Sequence, residues 1–255
     1  MLPESRISDE VLTFALSTEG NLFADLSASA RWEDLGRGRR GAVLARVDET
    51  GGVPLVRTTT RYGSPAQRFR AVHERLAQRI RERAGLPVGF NNALIEHYTS
   101  AYRKMGGHCD QALDLAEDSS IAVFSCYQHP EVGSQRKLIL ESKGGGEEFE
   151  IPLAHNSVVV FSVDANRRLR HKIVLDAPGE AVDNQWLGVT FRTSKTLVRF
   201  RDGHAYLPQG VRLLAADDEQ QREFYRLRRR ENQETDFVYP ALTYTISESD
   251  LIPPL

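Results

Sequence analysis

The feature that most limits what this chain can fold into is a succession of short apolar runs between residues 90 and 192. They read FNNALIEHYT, SSIAVFSCY, RKLILES, EFEIPL, NSVVVFSV, LRHKIVL and WLGVTFR. Most are rich in β-branched and aromatic residues, and each is about one strand long. Turn chemistry separates them at His129-Pro130, at Gly144-Gly145-Gly146 and at Pro178-Gly179. So many short strands at close spacing predict an antiparallel sandwich or barrel.

The flanking segments supply helices and a few further strands. VLTFAL at 11–16 reads as a first strand, and Gly20 to Trp32 as a short helix with Leu22, Phe23, Leu26 and Trp32 inside. Residues 33–52 read as a loop or a hairpin around AVLARV, and VPLVRTTTRY at 53–62 as a strand. From Ala66 to Ala84, Phe69, Val72, Leu76 and Ile80 recur at helical spacing, with arginines and His73 on the other face. Gly85 and Pro87 stop that helix. Beyond the strands, TLVRF reads as one more strand, and residues 217–232 as a charged helix whose acidic start and basic end suit its dipole. The tail from Asp236 reads as partly extended. The expected fold class is α+β, mainly β, with helices buttressing the sheets.

Composition narrows the setting. A hydrophobic fraction of 40% and a charged fraction of 27% over 255 residues fit a soluble globular protein. No run approaches the roughly 20 apolar residues of a membrane span. The opening MLPESRISDE lacks the order of a signal peptide, so the cytoplasm is the expected location. A net charge of −2 provides no global field toward nucleic acid. Arginines cluster at Arg37, Arg39 and Arg40, and again at Arg226, Arg228, Arg229 and Arg230; solvated faces are the expected reading of both. The two cysteines, Cys109 and Cys126, are too few for a disulfide framework and read as reduced thiols.

Chemistry concentrates at the end of the stretch Phe90 to Asp110, FNNALIEHYTSAYRKMGGHCD, which reads as a strand closing on His108 and Asp110. Side chains two apart on a strand share a face. An imidazole and a carboxylate placed in that way can grip a metal ion, and a second histidine would complete a 2-His-1-carboxylate triad. The His-x-Asp pair is common in itself, but Gly106 and Gly107 just before it allow the backbone to bend or approach a ligand closely. Cys109, between the two, should face away. A third ligand has candidates in His73, His97, His129, His155, His171 and His204. His171 sits inside a strand, yet a strand histidine is often only a satisfied side chain, so the residues alone leave the choice open.

FNNALIEHYT, then GGHCD, then RHKIVL, then LGVTFR, in that order, resemble the AlkB-like family of Fe(II)/2-oxoglutarate dioxygenases, from about Val53 to Lys195. The resemblance implies a double-stranded β-helix (jelly-roll) core at 53–195, preceded by an N-terminal strand, helix and lid region at 1–52 and followed by a C-terminal extension at 196–255 packed on the core. It also implies Fe(II) held by His108, Asp110 and His171, with 2-oxoglutarate as cosubstrate and O2 as oxidant. Tyr98 and Arg192 fall on the family's cosubstrate-binding tyrosine and second arginine. Two positions depart from the pattern. Trp186 stands where the family has the arginine that grips the distal carboxylate of 2-oxoglutarate, and Glu96 stands in place of an asparagine. Arg192 is the first substitute for the missing cation; Arg57, Arg61 and Lys104 follow. Glu96 would repel an anionic cosubstrate unless protonated or turned away.

The family spans nucleic-acid demethylases and oxidases of small molecules. The slightly acidic total, the few aromatics in the lid region (Trp32, Tyr62 and Tyr102) and the extension after Lys195 favour a small-molecule substrate, of the class of an amino acid or secondary metabolite. Oxidative demethylation of nucleic acid and a non-catalytic binding module on the same scaffold are the alternatives.

Overall fold

A computed structural model describes residues 6–17, 20, 22–132, 136–146, 148–176 and 184–255. The expected Pro178-Gly179 turn lies outside them. In chain order the strands are β1 (Val11–Ala15), β2 (Glu33–Asp34), β3 (Arg39–Ala45), β4 (Val53–Leu55), β5 (Gln67–Arg68), β6 (Asn92–Tyr98), β7 (Ser120–Tyr127) and β8 (Arg136–Ser142). They continue with β9 (Glu148–Pro152), β10 (Ser157–Ser162), β11 (Leu169–Leu175), β12 (Trp186–Arg192), β13 (Thr196–Arg201), β14 (His204–Tyr206), β15 (Leu214–Ala215) and β16 (Tyr244–Thr245). The α-helices are α1 (Leu22–Ser29), α2 (Ala71–Ala84), α3 (Val163–Arg168) and α4 (Asp218–Glu231).

The large sheet runs β1-β10-β7-β12-β6-β3-β2, with β5 paired to β3. A small sheet, β11-β8-β9, faces it. Bridges Lys104↔Val174 and His108↔His171 lay the segment before Asp110 along β11, on the open edge of the small sheet. This is the expected jelly-roll arrangement. It explains why the central runs look continuously apolar rather than alternating: β6 and β7 are covered on both sides. One face of the large sheet packs Leu44, Ile95, Phe124, Leu187, Val189 and Phe191 against Phe23 and Leu26 of α1 and Leu76 and Ile80 of α2. The other packs Tyr98, Val123, Phe161 and Trp186 against Leu138, Leu140 and Ile173 of the small sheet.

Several local expectations need correction. The stretch from Phe90 to Asp110 is not one strand. It leaves the large sheet after Tyr98, turns at Thr99–Tyr102, and rejoins the fold on the small sheet. Only Val53–Leu55 of the 53–62 run is a strand; the polar Thr58, Thr59 and Thr60 that follow line a cavity instead. The second helix starts at Ala71, because Gln67–Arg68 pairs in parallel with β3. His73 is buried, not on an exposed helix face: its ring meets Ser29 Oγ at 2.7 Å and caps the Arg70 amide. Gly85 ends α2 in the left-handed conformation at φ 63°, as a C-cap glycine should. The large sheet takes strands from both sides of residue 52, since β1 and β3 belong to it.

The last fifty residues wrap back onto this frame. Asp217 caps α4 by accepting from the Glu219 and Gln220 amides. The chain ends with Leu255 and Ala66, and Arg68 and Leu255, joined by backbone bonds. Asp250 accepts from the Thr245 hydroxyl at 2.5 Å. Burial pushes the Asp250 carboxyl up to about 7; the Thr245 bond opposes this and the Asp114 charge adds to it. The folded value lies above the unfolded one, so this group's stabilisation is complete below the unfolded pKa and is lost as pH rises through about 7. Asp250→Asn should therefore melt close to wild type near about pH 4 and increasingly above it toward about pH 8. Melting curves across that range check this; a pH-independent difference would remove Asp250 as the cause.

Candidate metal centre

His108, Asp110 and His171 come together between the sheets, each offering a ligand atom within 4.8 Å of the others. The Asp110 Oδ1 atom lies 3.9 Å from Nε2 of both histidines. What places them is backbone pairing. The amides and carbonyls of His108 and His171 bond to each other at 3.0 and 2.7 Å, so the two rings stand side by side with centroids 4.5 Å apart. His108 Nδ1 is 2.9 Å from the Gly106 carbonyl, which leaves its Nε2 for the cavity.

The rest of this short segment is pinned just as fully. Asn166 of α3 makes a two-way bond with Asp110, accepting from its amide and donating to its carbonyl, both at 2.7 Å. The Cys109 amide donates to Asn232 at 2.9 Å, and its carbonyl accepts from Arg228 of α4 at 2.8 Å. Every backbone group from 108 to 110 thus has a partner, which is the preorganisation a ligand set needs. Cys109 faces away from the cluster, as its position between the two ligands requires. Both cysteines are buried and unpaired.

Electrostatics suit a cation. Burial pushes His171 down to about 3, helped by the neighbouring His108, and burial lowers His108 too. Burial would raise Asp110, but Arg192 and the two histidines outweigh it and hold the carboxyl well below the ordinary range. Near neutral pH the cluster therefore offers two imidazole lone pairs and a carboxylate, the donor set of a facial triad.

The cluster opens into a cavity of about 340 Å³. Its walls include Thr58, Thr59 and Thr60, Arg39 and Glu96 of the large sheet, Tyr102, Gln111, Leu138 and Arg228. A family model for the 2OG-Fe(II) oxygenase superfamily matches residues 42–192, more than half of the chain. The chain belongs to the 2OG-Fe(II) oxygenase superfamily. Enzymes of this superfamily are non-haem iron oxygenases using Fe(II), 2-oxoglutarate and O2, and the donor set fits such an ion. Among solved structures, the chain is similar to one titled "The structure of OsALKBH1", at 14% identity and a TM-score of 0.40, over 61% of this chain and 78% of that one. No curated protein matches the chain. Among the described residues, no helix is long and apolar enough to cross a membrane.

The two residues expected to contact the cosubstrate are each bonded to a carboxylate. Arg192 Nε donates to Asp110 Oδ2 at 2.7 Å, so this guanidinium is at the metal end of the oxygenase cavity; its Nη1 is buried without a partner. Tyr98 is fully buried, and its hydroxyl donates to Glu96 at 2.8 Å. Glu96 is neither turned away nor unpaired. Arg39 Nε donates to it at 2.8 Å, which neutralises the charge. Trp186 lies at 4.8 Å from the Tyr98 ring and donates to Ser125 at 2.6 Å. Its ring covers Gly188, where a Cβ would meet it at 2.0 Å, so glycine is required there.

The arginine clusters are less solvated than expected. Arg39 is ion-paired at the cavity wall, and Arg228 is buried behind Cys109. The sequence signal was present for Arg39, because an acidic residue facing the cavity needs a cation, but nothing in the sequence placed β3 beside β6. Gln111 was missed as well. It is buried at the cavity wall, and both its amide oxygen and nitrogen are without partners. The other histidines have separate structural settings: His97 packs between Phe23 and Trp32, and His155 Nδ1 accepts from the Tyr127 amide.

Proposed function

We propose that this oxygenase oxidises a C–H bond of a compact, polar small molecule, with iron held by His108, Asp110 and His171. The observation that carries the substrate reading is the cavity. At about 340 Å³ it is near the lower end for small-ligand pockets, and it must also admit 2-oxoglutarate. The unpartnered Gln111 amide offers a donor and an acceptor together, and Thr58 to Thr60 add hydroxyls. A buried polar group without a partner is costly, so it favours a ligand that completes its hydrogen bonds.

His108, Asp110 and His171 would hold Fe(II), which with 2-oxoglutarate and O2 would supply the oxidising chemistry, one oxygen atom going to the substrate and the other to succinate with release of CO2. The chain's own part is to hold and orient. Arg192 keeps Asp110 ionised and turns Oδ1 toward the histidines, since Oδ2 is taken. Asn166, Asn232 and Arg228 fix the ligand backbone. The Arg39–Glu96 pair presents a neutral, hydrogen-bonding wall.

A second reading, oxidative demethylation of nucleic acid, draws support from Arg37 and Arg40, which are exposed beside the cavity-lining Arg39. Against it, among the described residues Tyr102 is the one cavity-lining aromatic besides the ligand imidazoles, whereas an extruded base needs stacking partners. Succinate formation with Fe(II) and 2-oxoglutarate, screened over polar metabolites and over methylated oligonucleotides, decides between them. The expected result is stimulation above uncoupled turnover by a small molecule. Stimulation by oligonucleotides alone, with binding that weakens steeply with salt, would overturn it.

A further inference from the structure

Trp186 occupies the place from which the distal carboxylate of the cosubstrate would ordinarily be held, so the charge has to be met from elsewhere. The cations around the cavity are largely committed. Arg39 serves Glu96 and Thr60. Arg57 is locked to Asp114, and Arg228 to Glu231 and the Cys109 carbonyl. Arg61 is exposed and bonds to Gln221 of α4. Arg192 lines the cavity with Nε on Asp110, so its unpartnered Nη1 lies beside the metal-binding residues and not at the far end of the cavity.

Arg136 is different. It opens β8 and is only 3% exposed. Its side chain lies on the same side of the strand as those of Leu138 and Leu140, facing the space between the sheets. Its guanidinium stands over the Tyr98 ring at 5.1 Å, and Nη2 donates to the Thr99 carbonyl at 2.8 Å. Nη1 is buried with no partner, and among the described residues no carboxylate pairs with this side chain. The Tyr127 hydroxyl accepts from the Arg136 amide at 3.0 Å and so steadies the strand at this point. A buried cation without a counter-ion is costly in free energy, and a place that retains one is a place where an anion belongs.

The location fits the distal end of the cosubstrate. The Tyr98 ring is 4.8 Å from that of Trp186 and 5.1 Å from the Arg136 guanidinium. The small sheet thus brings a cation to the tyrosine that Trp186 also packs against. Leu138, two residues along β8, and Tyr102, whose ring is 4.5 Å from that of Tyr98, line the cavity. Arg136 stands one side chain behind that wall, so half-buried Tyr102 has to shift for a carboxylate to reach it.

We propose that Arg136 is the residue that binds the distal carboxylate of 2-oxoglutarate in this chain. The inference rests on the oxygenase reading, and its test separates the two. Under anaerobic conditions, Fe(II)-loaded protein is titrated with 2-oxoglutarate and with pyruvate, a 2-oxo acid that lacks the distal carboxylate, and binding is followed by the charge-transfer absorbance of the 2-oxo acid on iron. Arg136→Gln should weaken 2-oxoglutarate about 100-fold, consistent with loss of a charge-assisted pair, and leave pyruvate within about twofold. Arg136→Lys, which keeps the buried charge if the first variant does not fold, should weaken 2-oxoglutarate about tenfold with pyruvate again unchanged. Unchanged 2-oxoglutarate binding in either folded variant, or equal loss for both acids, would overturn the assignment. Failure of the wild-type protein to give the absorbance with either acid would instead count against the oxygenase site itself.

Discussion

Replacing His171 with alanine should lower Fe(II) affinity by more than about 100-fold and reduce 2-oxoglutarate-dependent succinate formation to background. Loss of groups that merely support a metal ligand already costs about 10–100-fold, and His171 is proposed as a ligand itself. The substitution is cleaner than one at Asp110. Removing that carboxylate would strand Arg192, which is buried and bonded to it at 2.7 Å, and the resulting loss of stability would confuse the result. A second measurement is independent of turnover. A ligand that binds only the folded state stabilises it by about 2.7 kcal/mol at a concentration of 100 Kd. Added Fe(II) under anaerobic conditions should accordingly raise the melting temperature of the wild type and leave His171→Ala unmoved. Retention of metal affinity in the variant would show that the cluster is not the iron site.

Asp114→Ala should destabilise the protein by about 3–5 kcal/mol, because it leaves a buried guanidinium unpaired. Arg57 and Asp114 are 4% and 1% exposed, and they pair through two side-chain bonds, Nε to Oδ2 at 3.0 Å and Nη2 to Oδ1 at 2.8 Å. The Arg57 amide adds a third at 3.0 Å, and Nη1 donates to the carbonyls of Leu242 and Tyr244. One ion pair thereby joins the loop that carries the cavity threonines, the turn after the metal-binding segment, and the C-terminal tail. Arg57→Met combined with Asp114→Leu should recover much of the loss, since an apolar pair of similar size removes both desolvation penalties. Urea unfolding of the single and double variants checks this. A loss below about 1 kcal/mol for Asp114→Ala would mean that solvent reaches the pair.

The strand series and the helix at 71–84 were legible because their signals are local. Period, turn residues and the Gly85 stop are written within a few positions of one another. His171 needed more than that, since a histidine inside a strand is identical in sequence whether or not another strand delivers a partner to it. The backbone bridge between His108 and His171 is a long-range pairing that no local pattern encodes. The same reason hid Arg39, Arg136 and Arg228. Charged residues read as solvent-facing by default, and only the assembled sheets and α4 reveal which of them are covered. The break after Tyr98 was missed because an apolar strand and the following TSAYRKMGG segment can be read as one extended piece. Nothing local reports that the chain changes sheets there.

The bridge between His108 and His171 also sets the order of events during folding. Its two halves are roughly sixty residues apart in the chain, so joining them carries the loop-closure cost of a non-local contact. β8 and β11 are closer in the chain, with β9, β10 and α3 between them, but their pairing leaves His171 with no companion until the segment from Lys104 docks on its open side. The triad therefore exists only once that last edge is seated. A metal ion added during refolding would find a competent site late, and the gain of metal affinity should trail the recovery of β structure, making iron a kinetic marker for completion of the small sheet.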